Sequence, residues 1–584
     1  TTEIYTLSLH DALPIFKSTL TLFLLWYSAS IYLLYTQLYY RPFIYFTIIV
    51  FLCILVLIQI YSVCTNSSLS AIILLEILLI SINIKFGIIY EFTEIIGVDP
   101  IYHLNLAMNI VNTGFIPNGL QYSAHPIMHI LISVTKIISD IGNKNSLIFS
   151  IGFLVAILPP LFIFVTCNKI FTTQIALISS LFVSICNYLI WYGYMLFVTS
   201  LGIVYLCILL YFLISHNLKH SISKTLLIVS YFIIVLLHPL TNMVCLFVVA
   251  LFVLISTFYL NKNDRNCKII FKNNILLLFI ILTLGYWIYS STSPGGGFFF
   301  DFVVSTVFQK LRMEHSPESV IETPESVIET PESVIETSLS NVSGANEIIN
   351  MVGVVPIFCF AVLGFLHTIR VKKNNNVTLS FVFIGFAIFT FAAVCQVFGF
   401  ENILPERWFA FAYLLFSIPA ALGFQIINFS GCNKNILIIV QLFAIIIISF
   451  FMITSSIANM DSPLYSKDIS LRIGMYDSEI NALNTLLIHS DSAVITDMRH
   501  ISMKSCTSNK TLKYFTSNFR FDMLTENDLV IVRNYVRNNR IDVPLMSAGG
   551  GAPAVLSKDF LRTLESKYAI KIYDNRVVDA YLIV

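Results

Sequence analysis

The sequence predicts an all-α polytopic membrane protein of about thirteen transmembrane helices, with a small extracytoplasmic α/β domain at its C-terminal end. Three observations carry that expectation. Of 584 residues, 57% are hydrophobic and 11% charged, against about 25% charged in soluble domains. Apolar runs of about 20 residues, the length that crosses a bilayer as helix, recur along most of the chain. Beyond residue 455 the runs shorten and charge returns. A formal net charge of +1 gives no basis for a nucleic-acid partner.

In order, residues 1–15 (TTEIYTLSLHDALPI) are what one reading frame of a common short-read sequencing adapter encodes, so native sequence is expected from about Phe16. Apolar spans follow at 18–39, 42–62, 69–89, 145–166, 172–192, 197–215, 225–238, 241–259, 275–291, 350–369, 377–400, 408–427 and 436–455, making residues 16–455 the membrane domain. Lys219 and Lys224 share one loop, Lys262, Arg265, Lys268 and Lys272 a second, Arg370, Lys372 and Lys373 a third, and Lys434 a fourth. Thirteen spans put all four on one side, which the Lys/Arg bias makes cytoplasmic. The expected product is a multi-pass plasma-membrane protein with its N-terminus inside. Loops 91–144 and 292–349 and the tail 456–584 lie outside. The second loop holds three identical PESVIET units over 317–337, too few for a solenoid and interrupted by Pro; a flexible insert is expected.

In the tail, NALNTLL reads as helix, SAVITDM as strand, DLVIVRNYV as strand or helix, and AIKIYDN with VVDAYLIV as a closing hairpin. AGGGAP at 548–553 lacks the Lys of a phosphate loop and reads as a plain loop. Of eleven Cys, six fall inside apolar spans and only Cys506 in the polar tail, which gives no disulfide framework.

Function concentrates in 91–131, a polar interruption between apolar spans that gathers Glu91, Glu94, Asp99, His103, His125 and His129. Asp99 before Pro100 reads as a helix N-cap, with the helix ending near Asn112-Thr113-Gly114. Capping alone accounts for the residue. The same carboxylate at a membrane surface also suits a general base or a ligand of a divalent metal such as Mg or Mn. His103, four residues on, shares its helical face. His125 and His129 are also spaced i,i+4, but a pair without a third ligand is a weak zinc signal, and contact with headgroups or sugar is the better expectation. His238 before Pro239 reads as a helix end. Arg407 opens a span on the outer side, where a guanidinium grips a lipid phosphate or anchors at the interface; Glu406 beside it pairs with it or helps bind substrate.

The pattern GVDPIYHLNLAMNIVNTGFIPNG…YSAHP resembles the first external loop of the GT-C superfamily of polyprenyl- and dolichyl-phosphate-dependent membrane glycosyltransferases, particularly its archaeal oligosaccharyltransferase branch. PERWFAFAYLLFSIPAALGF is similar to the Arg-Phe-led helix those enzymes place near the lipid phosphate. The resemblance implies a lipid-linked sugar donor, an acceptor that is protein, glycan or lipid, Asp99 as the catalytic acidic residue, and Glu94, His103, Tyr122, His125, His129, Glu406 and Arg407 as substrate-binding residues. The sequence departs from that branch in lacking WWDYG: the corresponding stretch reads SAVITDMRH, with Asp497. The branch's late-loop element is matched in form by Ser319-Val320-Ile321-Glu322, inside the repeat. Two other classes compete. A transporter needs ionisable groups at mid-membrane depth, where Glu76 is the main candidate. A non-catalytic envelope-assembly protein predicts that Asp99 and Arg407 do not converge.

Overall fold

The computed structural model describes residues 9–584 except 38, 40, 64–66, 119–121, 215–220, 264–272, 293–334, 337–351, 371–375, 398–404, 427–433, 460–473, 491, 503–510, 516–522, 539–540, 545–550 and 567–568. The chain is mostly helical. Helices α1 (Leu9–Thr36), α2 (Phe43–Val63) and α3 (Ser67–Glu91) lead into the loop helices α4 (Val98–Thr113) and α5 (Ile127–Ser139). Then come α6 (Asn143–Asn168), α7 (Thr173–Ile185), α8 (Asn187–Tyr194), α9 (Val198–Ile214), α10 (Ser221–Leu237), α11 (Pro239–Asn263) and α12 (Asn273–Thr292). Helices α13 (Val354–Arg370), α14 (Asn376–Val397), α15 (Pro405–Ile426) and α16 (Lys434–Thr454) complete the bundle.

Every apolar run expected as a span is mainly helical over its described residues. Among the described residues six helices are long and apolar enough to cross a membrane, or seven if α7 and α8 form one span bent by 58°. The remaining runs form shorter apolar helices. Helix α1 begins inside the adapter-like stretch and continues through Ile15, whose carbonyl accepts from Thr19 Oγ1 at 2.9 Å.

One clasp explains much of the bundle's first half. Pro159 and Pro160 lie inside α6 and lack the N–H groups that would bond the carbonyls four residues back, Val155 and Ala156. In hydrocarbon, each such orphan costs several kcal/mol. Helix α3 supplies the missing donors: Ser81 Oγ donates to Ala156 O at 2.7 Å and Lys85 Nζ to Val155 O at 3.3 Å. Lys85 also donates to Ser81 Oγ at 3.0 Å, and its stem lies so close to Gly193 of α8 that a Cβ there would collide with it. Glu76 is therefore not alone among buried ionisable groups in the spans; its carboxylate accepts from Gln59 Nε2 at 3.2 Å. Farther along, Gly364 of α13 and Gly423 of α15 bring two backbones into direct contact, with no room for a Cβ on either, the small-residue packing membrane helices favour.

The tail forms the expected α/β unit. Helix α17 (Asp477–His489) contains NALNTLL, SAVITDM supplies β2 (Val494–Thr496), and DLVIVRNYV divides into β4 (Leu529–Arg533) and α19 (Asn534–Asn538). Between them lie α18 (Met498–Ser502) and β3 (Leu512–Tyr514). The closing hairpin is β7 (Ala569–Asp574) with β8 (Val578–Ile583), preceded by α20 (Lys558–Ser566). The sheet order is β3-β2-β4-β8-β7, with β2 parallel to β3 and β4 and the rest antiparallel. Central β4 is buried on both faces: Leu529 and Ile531 pack on Leu483 and Leu487 of α17, Val530 and Val532 on Phe560 and Leu564 of α20.

Two expectations about loops change. AGGGAP is not loop throughout, because Gly551–Leu556 form β6, which pairs with β5 (Ile541–Pro544). Two residues of the third PESVIET unit also form a strand, β1 (Ile335–Glu336), antiparallel to β6 with Ile335 opposite Leu556. Ser319, Val320, Ile321 and Glu322 lie outside the described residues.

Candidate functional site

The polar interruption folds as a helical hairpin on one end of the bundle, α4 and α5 joined by a turn. Its first half corrects the expectation for Asp99. The N-cap of α4 is Gly97, at φ 88°, and no side chain caps the helix. That left-handed φ suits glycine; a Cβ there would also sit 2.6 Å from Met195 Cε. The chain thus turns at Gly97, two residues before Asp99. Asp99 lies in the first helical turn, where a carboxylate complements the helix dipole, and Pro100 falls where its missing N–H has no helical partner. The C-terminal end is as expected: Gly114, φ 75°, closes the helix by donating to Ile110 O. Asp99 itself is exposed.

Below Asp99 the histidines gather. His103 Nδ1 and His129 Nε2 are 3.0 Å apart in a hydrogen bond, both rings buried. Tyr122 stands edge-on to His103, centroids 4.7 Å apart, and close to His129 at 6.1 Å. His125 is also buried, 5.5 Å from the ring of Tyr286, whose hydroxyl donates to Ala124 O. His125 Nδ1 has no hydrogen-bond partner.

Electrostatics link these rings to Arg407, in the first turn of α15 and half-buried. Burial, the His129 ring and the Arg407 charge push His103 down to about 3. Burial takes His125 down to about 4 against the opposing pull of the Val235 and Leu236 carbonyls, and burial with the His125 charge takes His129 down to about 4. All three imidazoles are therefore neutral at physiological pH. Burial raises Tyr122, Arg407 opposes, and Asp99 adds to the rise. Asp99 and Arg407, distant in sequence, thus both act on the Tyr122 hydroxyl.

Of the expected site residues, Asp99, His103, Tyr122, His125, His129 and Arg407 share this neighbourhood. Glu94 is exposed and acts on Lys144 instead, a residue whose Nζ donates to Ile89 O at 2.8 Å and to Phe92 O. The Glu406 side chain lies outside the described residues. Glu91 forms a buried ion pair with Arg41 at 3.6 Å. Sequence reasoning gave His238 only a structural place, as a helix end, and did not single out Tyr286. His238 does close a helix junction, its Nδ1 accepting from Thr241 N at 3.4 Å, yet Arg407, His125 and His103 all act on it. The His238-Pro239 pair was a visible signal; Tyr286, in an aromatic-rich span, gave none. Among the described residues no group of three or more His, Cys, Asp or Glu is arranged to hold a metal ion.

The fold and site define a polytopic helical protein with a cluster of neutral imidazoles, a guanidinium and an exposed carboxylate at one end of its bundle. No protein-family profile and no curated protein matches the chain. Among solved structures, the apo oligosaccharyltransferase of Archaeoglobus fulgidus is similar at a TM-score of 0.46 and 15% identity over 77% of this chain, which spans 65% of that enzyme's length. The same enzyme tethered to an acceptor peptide with the NVT sequon gives 0.46 and 13%, covering 80% of this chain and 69% of that one. ArnT from Cupriavidus metallidurans gives 0.44 and 9%, covering 88% and 97%. Likenesses this loose assign no family.

Proposed function

We propose that this protein is a GT-C-type membrane glycosyltransferase that moves a sugar from a polyprenyl-phosphate-linked donor to an acceptor nucleophile at the outer face. One observation carries the reading: the hydrogen-bonded His103–His129 pair, with the Tyr122 ring edge-on to His103, follows exposed Asp99 by one helical turn, and the charges of both Asp99 and Arg407 are felt at the Tyr122 hydroxyl. The convergence favours this reading over the envelope-assembly alternative. In the proposed step the acceptor's lone pair attacks the anomeric carbon while its proton passes to the Asp99 carboxylate. The bond to the carrier oxygen breaks, and its electron pair leaves on the phosphate, whose growing charge Arg407 neutralises. In-line attack inverts the anomeric centre. His103, His125 and Tyr122 supply neutral hydrogen-bonding groups for sugar hydroxyls, held neutral by burial so that they do not compete with Arg407 for the phosphate. His129 fixes the His103 ring. In the alternative role, Asp99 would serve as one ligand of a divalent ion such as Mg or Mn, which would supply Lewis-acid stabilisation of the leaving phosphate.

The test is loss of radiolabel from the lipid fraction when membranes carrying the protein are given a panel of polyprenyl- and dolichyl-phosphate-linked sugars. Asp99→Asn is expected to lower turnover by about 10²–10⁴-fold. Turnover retained in that variant would sink the base assignment.

A further inference from the structure

Asp99 is exposed, and no hydrogen bond to its side chain fixes it among the described contacts. A general base must nonetheless be held to within a fraction of an ångström. The backbone of 92–101 therefore has to provide the precision, and three grips on that segment are visible. Gly97 is pressed against Met195. The other two come from the tail. Phe92, at the segment's start, lies against Gly474 so closely that a Cβ there would strike its ring, and packs on Tyr39 at 5.7 Å. Ile101, at its end, packs against buried Met475 and Ile480.

The tail residues that grip are themselves anchored in the tail's core. Arg533 Nη1 donates to Met475 Sδ at 3.1 Å, Glu479 Oε2 accepts from Tyr476 N at 2.9 Å, and His500 Nε2 is 2.9 Å from Glu479 O. Tyr476 packs at a tilt on Tyr39, centroids 4.5 Å apart, and Asp477 N donates to the Tyr39 hydroxyl at 3.3 Å. Tyr39 holds φ 63°, a conformation non-glycine residues keep only when their surroundings impose it.

We propose that the tail domain positions the catalytic carboxylate: Gly474, Met475 and Ile480 are positioning residues that act through Phe92 and Ile101 to hold the Asp99 turn in its reactive geometry. The proposal rests on Asp99 being the base, and it makes the C-terminal domain part of the catalytic machinery.

The experiment uses the full chain in detergent, with Ile101→Ala, Gly474→Val and, as the conservative control, Ile101→Leu. Two readouts are taken: transfer kinetics, and hydrogen exchange of amides 95–103 against amides 106–113 of the same helix. Ile101→Ala and Gly474→Val are expected to raise exchange in 95–103 alone and to lower kcat by about 10–100-fold with KM little changed. Ile101→Leu is expected to restore both. Unchanged exchange in 95–103 in both variants overturns the proposal, as does faster exchange there with unchanged kcat. If wild type turns over no donor, the sugar-transfer reading fails by itself, and the exchange data still decide whether the tail holds the turn.

Discussion

The chain gathers ionisable groups in two places, and they are built on opposite rules. In the tail, Arg533 is fully matched: Nε and Nη2 donate to the two Asp497 oxygens at 2.8 and 2.9 Å, and Nη1 reaches Glu479 at 3.4 Å. Burial would push Asp497 up, but the Arg533 guanidinium holds it below its usual value. Beside it His500 is held low by burial, its ring bonded at both nitrogens, to Thr496 Oγ1 at 3.1 Å and Glu479 O. In the loop, by contrast, Asp99 is exposed, His125 Nδ1 is unpartnered, and Arg407 faces neutral rings. Groups that satisfy one another hold a fold together. Groups with capacity left over are free to meet a ligand.

That contrast can be broken most forcefully at Arg533. Arg533→Ala leaves buried Asp497 without its counter-ion, keeping only the bond from His500 N at 3.1 Å among the described contacts, and is expected to destabilise the tail by about 3–5 kcal/mol, seen as an early transition in thermal unfolding. Arg407→Ala should leave the melting curve almost unchanged while lowering sugar transfer; equal destabilisation by both would erase the distinction. Next in size is Lys85→Met, which strips a donor from Val155 O and is expected to cost about 1–3 kcal/mol in detergent-based denaturation, with Ser81→Ala at about 1 kcal/mol.

Acid separates the two regions by degree. The three loop histidines have folded values of about 3 to 4, below the unfolded value of about 6.5. Folded pKa values are depressed, so the stabilisation they carry is complete above about 6.5 and is lost as pH falls toward 4 and then 3. Asp497 is depressed too, but from the carboxylate range, so its contribution is lost only at lower pH. His500 in the tail is depressed from the same histidine range and loses stabilisation in the same direction; hydrogen exchange between pH 7 and 4.5 should therefore show the α4–α5 hairpin, with three such rings, loosening more than β2 and β4, which have one beside them. The smallest stability effect belongs to Asp99→Asn, expected within about 0.5 kcal/mol of wild type for an exposed side chain, in the variant with the largest loss of turnover.

The helices were legible because a bilayer-length apolar run announces itself without tertiary context, whereas DLVIVRNYV read as strand or helix and divides into β4 and α19. What sequence could not supply were partners remote along the chain. Pro159-Pro160 was readable as a helix defect, but Ser81 and Lys85, the side chains that repair it, sit on another helix with no local mark of the task. Asp99-Pro100 satisfied a capping pattern, and the chain used Gly97 instead because only there does the backbone turn left-handed against Met195. Arg407 was singled out by its expected place on the outer side, yet its reach to His103, Tyr122 and His238 depends on how α15 packs.

The β1–β6 pairing carries a last consequence. Strand pairing is made by backbone groups, and the three PESVIET units are identical, so any one of them offers β6 the same Ile-Glu dipeptide. Gain or loss of a unit by replication slippage would leave the same Ile-Glu pair on offer to β6. The repeat thus carries its point of attachment in every copy, so a change in copy number does not by itself remove it.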